Sequence, residues 1–192
     1  MPEKKWSLTS TVLLWLGGIG LIASIYMPWW GMDFFAPQYP EGLGVIVYPY
    51  KVEGKIDIIN GLNHYIGMKD INMGAFPELG LLPYLIGGFA VLLIIGSFLK
   101  SRIYLYVLAG LFMVGGAAGI FDIASRLKML GSELDPHAPI KVKPFAPPVY
   151  GDNKIANFIT HSYFSYGSIL LGVVFVLLVL VIWNERKVKA QA

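Results

Sequence analysis

Four long apolar stretches, nearly free of charge, alternate with more polar segments along the chain. They lie at about residues 8–26, 79–99, 103–123 and 166–183. A helix needs about 20 apolar residues to cross the hydrocarbon core of a bilayer. The pattern therefore predicts an α-helical membrane protein in which four transmembrane helices form a bundle, within a single membrane domain that covers residues 1–192.

The composition agrees with residence in a membrane. Hydrophobic residues make up 56% of the chain and charged residues 14%, whereas soluble domains carry about 25% charged residues. The net charge of +3 comes without a basic stripe interleaved with aromatic residues, so we expect no nucleic-acid partner. Cysteine is absent, which excludes disulfides, thiolate metal sites and a thiol nucleophile.

The first apolar stretch has a second interpretation as a signal peptide, because Lys4 and Lys5 precede it. Its apolar run is long for the core of a signal peptide, and residues 26–30 lack the small-x-small pattern of a cleavage site. We therefore expect the stretch to be retained as a membrane anchor.

The basic residues predict the orientation of the bundle, because Lys and Arg near the ends of a span resist translocation. Seven of the 15 Lys and Arg residues are concentrated at the two termini and in the short turn between the second and third stretches. We expect these segments in the cytoplasm. The two long loops, residues 27–78 and 124–165, are then expected on the outer face of the cell inner membrane.

The two outer loops are predicted to fold together as an extracytoplasmic cap, because they are long and rich in aromatic and β-branched residues. In the first loop, Val45–Tyr48 and Lys55–Ile59 flank Glu53-Gly54, which predicts a short β-hairpin. In the second loop, several prolines predict an extended segment that lies across the first loop. Lys154–Tyr163 is predicted to form a short amphipathic helix at the membrane surface.

Glycines predict close helix packing in the third stretch. Gly115 and Gly119 are four residues apart, a spacing that lets two helix backbones approach each other. Gly87 and Gly88 in the second stretch are the expected partners. Packing inside one bundle is favoured over a dimer interface.

Candidate metal ligands cluster in the predicted outer loops, which contain all three histidines. His64 and Met68 are four residues apart, so they project from one face if this segment is helical rather than a tight loop. Imidazole with thioether suits copper, particularly Cu(I), and Met73, His137 and His161 are candidates for a third ligand. The alternative is a histidine that hydrogen-bonds to the backbone and methionines that fill space at a membrane surface.

Other chemistry has little support in the sequence. Asp122 and Arg126 are four residues apart at the end of the third stretch, which permits an intrahelical ion pair. No ionisable residue falls in the middle of a predicted span, which argues against an ion pump. A phosphate-binding loop, a nucleophile elbow and paired transmembrane histidines are all missing. We therefore expect a protein that is not an enzyme.

Segments of both outer loops resemble a known family. Residues 36–43 (APQYPEGL), 59–68 (INGLNHYIGM), 134–136 (LDP), 138–142 (APIKV), 147–151 (PPVYG) and 157–158 (NF) are similar to small, mostly uncharacterised four-span bacterial membrane proteins that occur near the copper-maturation proteins of nitrous oxide reductase. The resemblance implies a role close to copper delivery. His64 and Met68 carry both the shared motif and ligand chemistry, whereas His137 stands where the family has another residue.

These observations predict a non-enzymatic accessory protein of the cell envelope that assists copper handling or the assembly of a copper-dependent respiratory enzyme. Its expected partners are membrane lipid and a periplasmic or membrane protein, and its candidate copper ligands are His64, Met68, Met73 and His161. Two other functions stay open. One is a structural subunit of a membrane respiratory complex; the other is a lipid- or quinone-binding protein, which would need an apolar cleft between spans and cap.

Overall fold

The computed structural model describes residues 6–72, 74, 76–155 and 158–190. This part of the chain forms five α-helices: α1 (Leu8–Ile25), α2 (Ile56–Ile66), α3 (Leu82–Leu99), α4 (Arg102–Ser132) and α5 (Tyr166–Ala190). All except α2 are long and apolar enough to cross a membrane. The four predicted spans are therefore confirmed as helices, and a short 3-10 helix at Pro77–Gly80 precedes α3.

The helix α4 is longer than the sequence pattern predicts. It has 31 residues, which is about 46 Å of helix, against a hydrocarbon core of about 30 Å. It continues past the predicted end at residue 123, and the connection that follows begins only at Glu133. The reason is that residues 124–132 remain amphipathic, with Leu127 and Leu130 buried and Ser125 and Lys128 exposed.

Glycines of α1 bring three helices close together. A Cβ atom on Gly17 would contact the side chains of Leu93 in α3 and Val174 in α5 at 3.4 and 3.7 Å, and one on Gly18 would lie 3.3 Å from the Ala90 carbonyl oxygen. Small residues at such positions allow close backbone approach. The bundle core is completed by buried residues from all four long helices: Leu14, Leu21, Ala90, Leu93, Leu105, Leu108, Val174, Leu178 and Val181.

A buried carboxylate joins α1 to α5 at the end of the bundle where α1 begins. Glu185 is only 1% exposed, and it accepts hydrogen bonds from the Ser10 hydroxyl at 2.6 Å and from the Ser7 backbone N–H at 3.2 Å. Asn184 donates to the same Ser10 hydroxyl oxygen at 3.0 Å. A buried acid is tolerated only with such partners, so the set fixes the register of the two helices.

The segments between the long helices form one antiparallel sheet of five strands. The strands are β1 (Trp30–Ala36), β2 (Tyr39–Tyr48), β3 (Lys51–Gly54), β4 (Gly151–Ile155) and β5 (Phe158–Phe164), in the spatial order β3-β2-β1-β5-β4. The helix α2 packs on the face of the sheet that is turned toward the bundle, where Ile59 meets Leu43 and Val45. We call this sheet together with α2 the cap.

The predicted hairpin of the first loop is placed wrongly. The turn lies at Pro49-Tyr50, between β2 and β3, and not at Glu53-Gly54. Residues 55–59 are not a strand, because α2 begins at Ile56. Apolar residues recur at Ile56, Ile59 and Leu62, which is the spacing of one helix face, and this face packs on the sheet.

The amphipathic helix predicted for residues 154–163 in the second loop is also wrong. Residues 154–155 and 158–163 lie in the paired strands β4 and β5, and residues 156–157 lie outside the described residues. Alternation explains the difference, because Thr160 and Ser162 are buried on the face toward the bundle while Ile159 and His161 are exposed on the other face. The cap is therefore a full sheet built from both loops, rather than a short hairpin. The second loop does lie across the first, as predicted, because the Asp135 N–H donates to the Gly67 carbonyl at 2.8 Å and the Ile140 N–H to the Tyr65 carbonyl at 2.9 Å.

The two halves of the sheet are joined directly above the α1–α5 pair. The Trp29 carbonyl oxygen accepts hydrogen bonds from the Ser165 backbone N–H at 3.0 Å and the Ser168 hydroxyl at 2.5 Å, and the Gly167 N–H donates to the Pro28 carbonyl at 2.8 Å. A Cβ on Gly167 would lie 2.3 Å from the Trp29 ring, so only glycine fits there. The strands β1 and β5 thus continue the antiparallel helices α1 and α5.

Gly131 offers a test of how the end of α4 packs against the connection that leads to β4. The Gly131 carbonyl accepts from the Phe145 N–H at 3.0 Å, and a Cβ at this position would lie 2.2 Å from the Phe145 carbonyl oxygen. We expect Gly131→Ala to lower the free energy of unfolding by about 1–3 kcal/mol. Gly116→Ala on the same helix, where the new Cβ meets no atom within 4 Å, should leave it unchanged or slightly raised. Thermal unfolding in mild detergent measures both, and equal losses would contradict this packing.

Candidate functional site

A large apolar cavity lies between the cap and the long helices. Its volume is about 910 Å³. The sheet face turned toward the bundle and α2 form its roof, and the parts of α3, α4 and α5 nearest the cap form its walls. It is the principal candidate site in the described part of the chain.

The cavity exists because α4 is held at two separated places. Near its beginning, Leu105 and Leu108 are buried in the bundle core. Near its end, Leu127 packs against Trp30 and Met32 of β1. Between these anchors, the segment that follows Phe112 stands away from α3 and α5, and the space that it leaves open is the cavity.

Gly115 and Gly119 lie in this open segment, so the predicted close packing is wrong. A Cβ on Gly115 or Gly119 would meet no atom within 4 Å, and the same holds for Gly87 and Gly88, the expected partners in α3. Gly115 and Gly119 line the cavity instead. Small residues here enlarge the cavity, because any larger side chain would occupy part of it.

Three phenylalanines close the cavity on the side away from the cap. The Phe112 ring of α4 lies 5.5 Å from the Phe89 ring of α3 in an edge-to-face arrangement and 5.7 Å from the Phe175 ring of α5 in a stacked one. Such aromatic pairs contribute more favourable free energy than the burial of their apolar surface alone would give. They form an apolar floor that joins three helices.

Tryptophan and aliphatic side chains form the roof. Trp30 is 5% exposed, and its indole N–H donates to the Val149 carbonyl oxygen at 2.7 Å, which leaves the ring face apolar. Met32 and Val47 continue the same surface. The polar part of Trp30 is therefore satisfied outside the cavity, and its hydrocarbon part is presented to the inside.

An ionic cluster forms one edge of the cavity. The Arg126 guanidinium donates to the Glu78 carboxylate at 2.8 Å and lies 3.7 Å from the Asp122 carboxylate. The pair Asp122–Arg126 was predicted from its spacing and is confirmed. Glu78 was not foreseen, because it lies 48 residues away from Arg126 in the chain; its place directly before an apolar stretch was the available signal.

Asn63 lines the cavity and carries an unpaired hydrogen-bond donor. The residue is 4% exposed, lies on the buried face of α2 and lines the cavity. Its side-chain Nδ2 has no hydrogen-bond partner among the described residues. An unsatisfied buried donor costs about 1–3 kcal/mol, so a ligand that supplies an acceptor gains this energy. Sequence reasoning placed Asn63 in the right segment but did not single it out.

The structure separates the two leading copper candidates. The helix α2 ends at Ile66, and Gly67 adopts the left-handed conformation with φ +76°. The N–H of Met68 then bonds to the Asn63 carbonyl at 3.0 Å, which closes the helix end in a Schellman motif. His64 and Met68 therefore do not share a helical face: His64 is exposed, whereas Met68 is half-buried and lines the cavity.

The remaining candidates lie elsewhere. His161 is on the sheet face turned away from the cavity, with its Nδ1 atom 2.6 Å from Asp152. His137 is exposed, and its backbone N–H bonds to Asp135, which lowers the pKa of that carboxyl. Met73 lies outside the described residues. Within the described ranges, no group of three or more His, Cys, Asp or Glu side chains is placed to hold a metal, and copper binding stays a prediction.

No protein-family model and no curated protein sequence matches the chain. The interpretation of the cavity therefore depends on its own geometry.

The ionic cluster gives a test of the cavity edge. Glu78→Gln removes the shorter contact of Arg126 and leaves only Asp122, so we expect the free energy of unfolding to fall by roughly 1.5 kcal/mol, as for a hydrogen bond to a charged group. Glu133→Gln is the matched control, because Glu133 pairs with Lys69 where both side chains are more than half exposed, and such pairs contribute little. Thermal unfolding of the two variants should differ, and equal shifts would count against a structural role for the cluster.

Proposed function

We propose that the protein binds an amphiphilic, lipid-like molecule in the cavity between the cap and the helices. The observation that supports this is the cavity itself, which measures about 910 Å³ and is lined by apolar side chains of both the cap and the bundle. Pockets for drug-sized ligands measure about 300–1,000 Å³ and combine apolar walls with a few polar groups. Of the functions that the sequence left open, lipid or quinone binding is the one that requires a cleft at this place.

The energetics of the cavity favour an apolar occupant. Protein interiors contain few voids larger than a water molecule, and a void of this size deprives its lining of packing partners. Water is a poor filling, because polar partners are confined to a few positions such as Asn63 and Arg126. A hydrocarbon tail lying over the Phe112 floor supplies the missing contacts.

The shape of α4 supports access from the bilayer. Its middle segment is exposed, with Met113 62% and Phe121 74% exposed. Apolar side chains at these positions suit contact with lipid tails. The glycines of the same segment form a low wall beside the cavity, across which a lipid-like molecule enters sideways without passing through water.

The proposal includes the location and orientation predicted from the sequence. Basic residues at both termini and in the Lys100–Arg102 turn support a cytoplasmic position for these segments. The cap, at the opposite end of the bundle, then lies on the outer side of the cell inner membrane, and the bound molecule comes from the outer leaflet. Copper handling by the cap and docking of a protein partner stay predictions; among the described residues no contact favours either.

Filling the cavity tests the proposal. Gly116 lines the cavity and has no atom within 4 Å of its Cβ position, so Gly116→Leu should fold while occupying the space of the ligand. Gly110→Leu is the matched control, because Gly110 has the same open surroundings on the same helix and does not line the cavity. Each variant is purified in mild detergent, and the lipids that co-purify are extracted and quantified by mass spectrometry.

We expect the wild type and Gly110→Leu to retain one amphiphile in a near-stoichiometric amount. Gly116→Leu should lose most of it, down to the level of lipids carried over by the micelle. The same lipid profile in all three proteins, with nothing above that level, would overturn the proposal.

The orientation has its own test. A reporter that is active only in the cytoplasm, fused after Ala192, should be active. A reporter that is active only outside should be active when inserted after Tyr50, the exposed residue of the turn between β2 and β3. The reverse result would place the cap in the cytoplasm.

A further inference from the structure

The geometry points to the head-group of the bound molecule: a group without net negative charge that has a carbonyl-type acceptor oxygen, which receives a hydrogen bond from Asn63. This inference rests on the proposed function and narrows the class of amphiphile. It follows from two independent features of the cavity, the charge balance of its ionisable lining and the unpaired amide N–H.

The charge balance disfavours an anionic head-group. The charged residues that line the cavity among the described residues are Glu78, Asp122 and Arg126. One guanidinium faces two carboxylates at 2.8 and 3.7 Å, so the cluster carries one excess negative charge and its cation is already paired. A phosphate or a fatty-acid carboxylate would have to enter a low-dielectric space without a free positive partner, which is costly.

The unpaired donor selects an acceptor. The Nδ2 group of Asn63 can donate, and it is buried without a partner in the part of the chain that the structure describes. A ligand oxygen that accepts from this group removes the cost of leaving it unsatisfied. A head-group that has only donors, or no polar atom, gains nothing there. The oxygen of a ketone, a quinone or an ester has the required chemistry.

The same features place the ligand in the cavity. Asn63 belongs to α2 in the cap, whereas the Phe89–Phe112–Phe175 floor lies among the long helices. The head-group therefore lies at the cap end and the tail extends toward the floor. Trp29 and Trp30 line the cavity near the cap, so their fluorescence reports on a bound quencher.

A matched pair of probes tests the charge requirement. Dibromostearic acid and its methyl ester have the same tail and the same bromine quencher, and they differ in charge when the pH is well above the pKa of the acid. Each is titrated into the full chain in detergent while tryptophan fluorescence is followed, and quenching that persists in Gly116→Leu is subtracted as non-specific. We expect saturable quenching by the ester and little or none by the acid.

A substitution tests the hydrogen bond. Asn63→Leu keeps the approximate size of the side chain and removes an unsatisfied donor, so its thermal stability should be equal or higher. The affinity for the ester should fall about threefold to tenfold, the loss of one hydrogen bond. His64→Leu, an exposed neighbour on α2, is the control and should bind the ester as the wild type does.

The outcomes separate this inference from the proposed function. Equal binding of acid and ester, or an unchanged ester affinity in Asn63→Leu, overturns the head-group assignment while leaving the cavity as a lipid site. If neither probe causes quenching that is lost in Gly116→Leu, the proposed function is overturned as well. If the ester binds, two further ligands are compared in the same assay: a quinone with a decyl tail and a dibrominated diacylglycerol. The tighter binder shows whether the site prefers a quinone carbonyl or an ester carbonyl.

Discussion

The pairing of β1 with β5 is the interaction on which the rest of the structure depends. The two strands run on from α1 and into α5, so the tightest helix pair of the bundle is continued as the central strand pair of the sheet. The hydrogen bonds of Trp29 with Ser165 and Ser168 form the joint. Because each half of the sheet belongs to a different loop, neither loop can complete the cap without the other.

This joint fixes where α4 can go. The first turns of α4 belong to the bundle core, and its last turns pack beneath Trp30 and Met32 of the sheet. The middle of α4 must therefore span the distance between the bundle core and the sheet, which the α1–α5 pair and its strands already set. A helix in this position leaves a gap unless large side chains fill it. Gly115, Gly116 and Gly119 have no side chains and leave the gap open. The cavity thus results from two features: α4 is anchored at both of its ends, and the residues between the anchors include glycines.

The sequence correctly predicted the features that follow from the thickness of a bilayer or from the periodicity of an α-helix. The four apolar helices follow from the length needed to cross a membrane, and the Asp122–Arg126 contact follows from helical spacing. It predicted poorly what depends on distant partners. Gly54 looked like a turn residue, yet its φ of +131° serves a close approach to the Gly44 carbonyl. The glycine spacing in α4 is compatible both with contact between two helices and with an open cavity. Which of the two occurs depends on where the neighbouring helices lie, and the sequence of α4 does not show this.

The central claim is that the cap and the helices enclose one amphiphile, and an experimental structure of the full chain extracted from native membranes tests it most directly. We expect density for a single elongated molecule, with its polar end beside Asn63 and its tail over Phe112, while α4 stands away from α3 at Gly115 and Gly119. A structure in which α4 closes against α3 and α5 and leaves no cavity would contradict it.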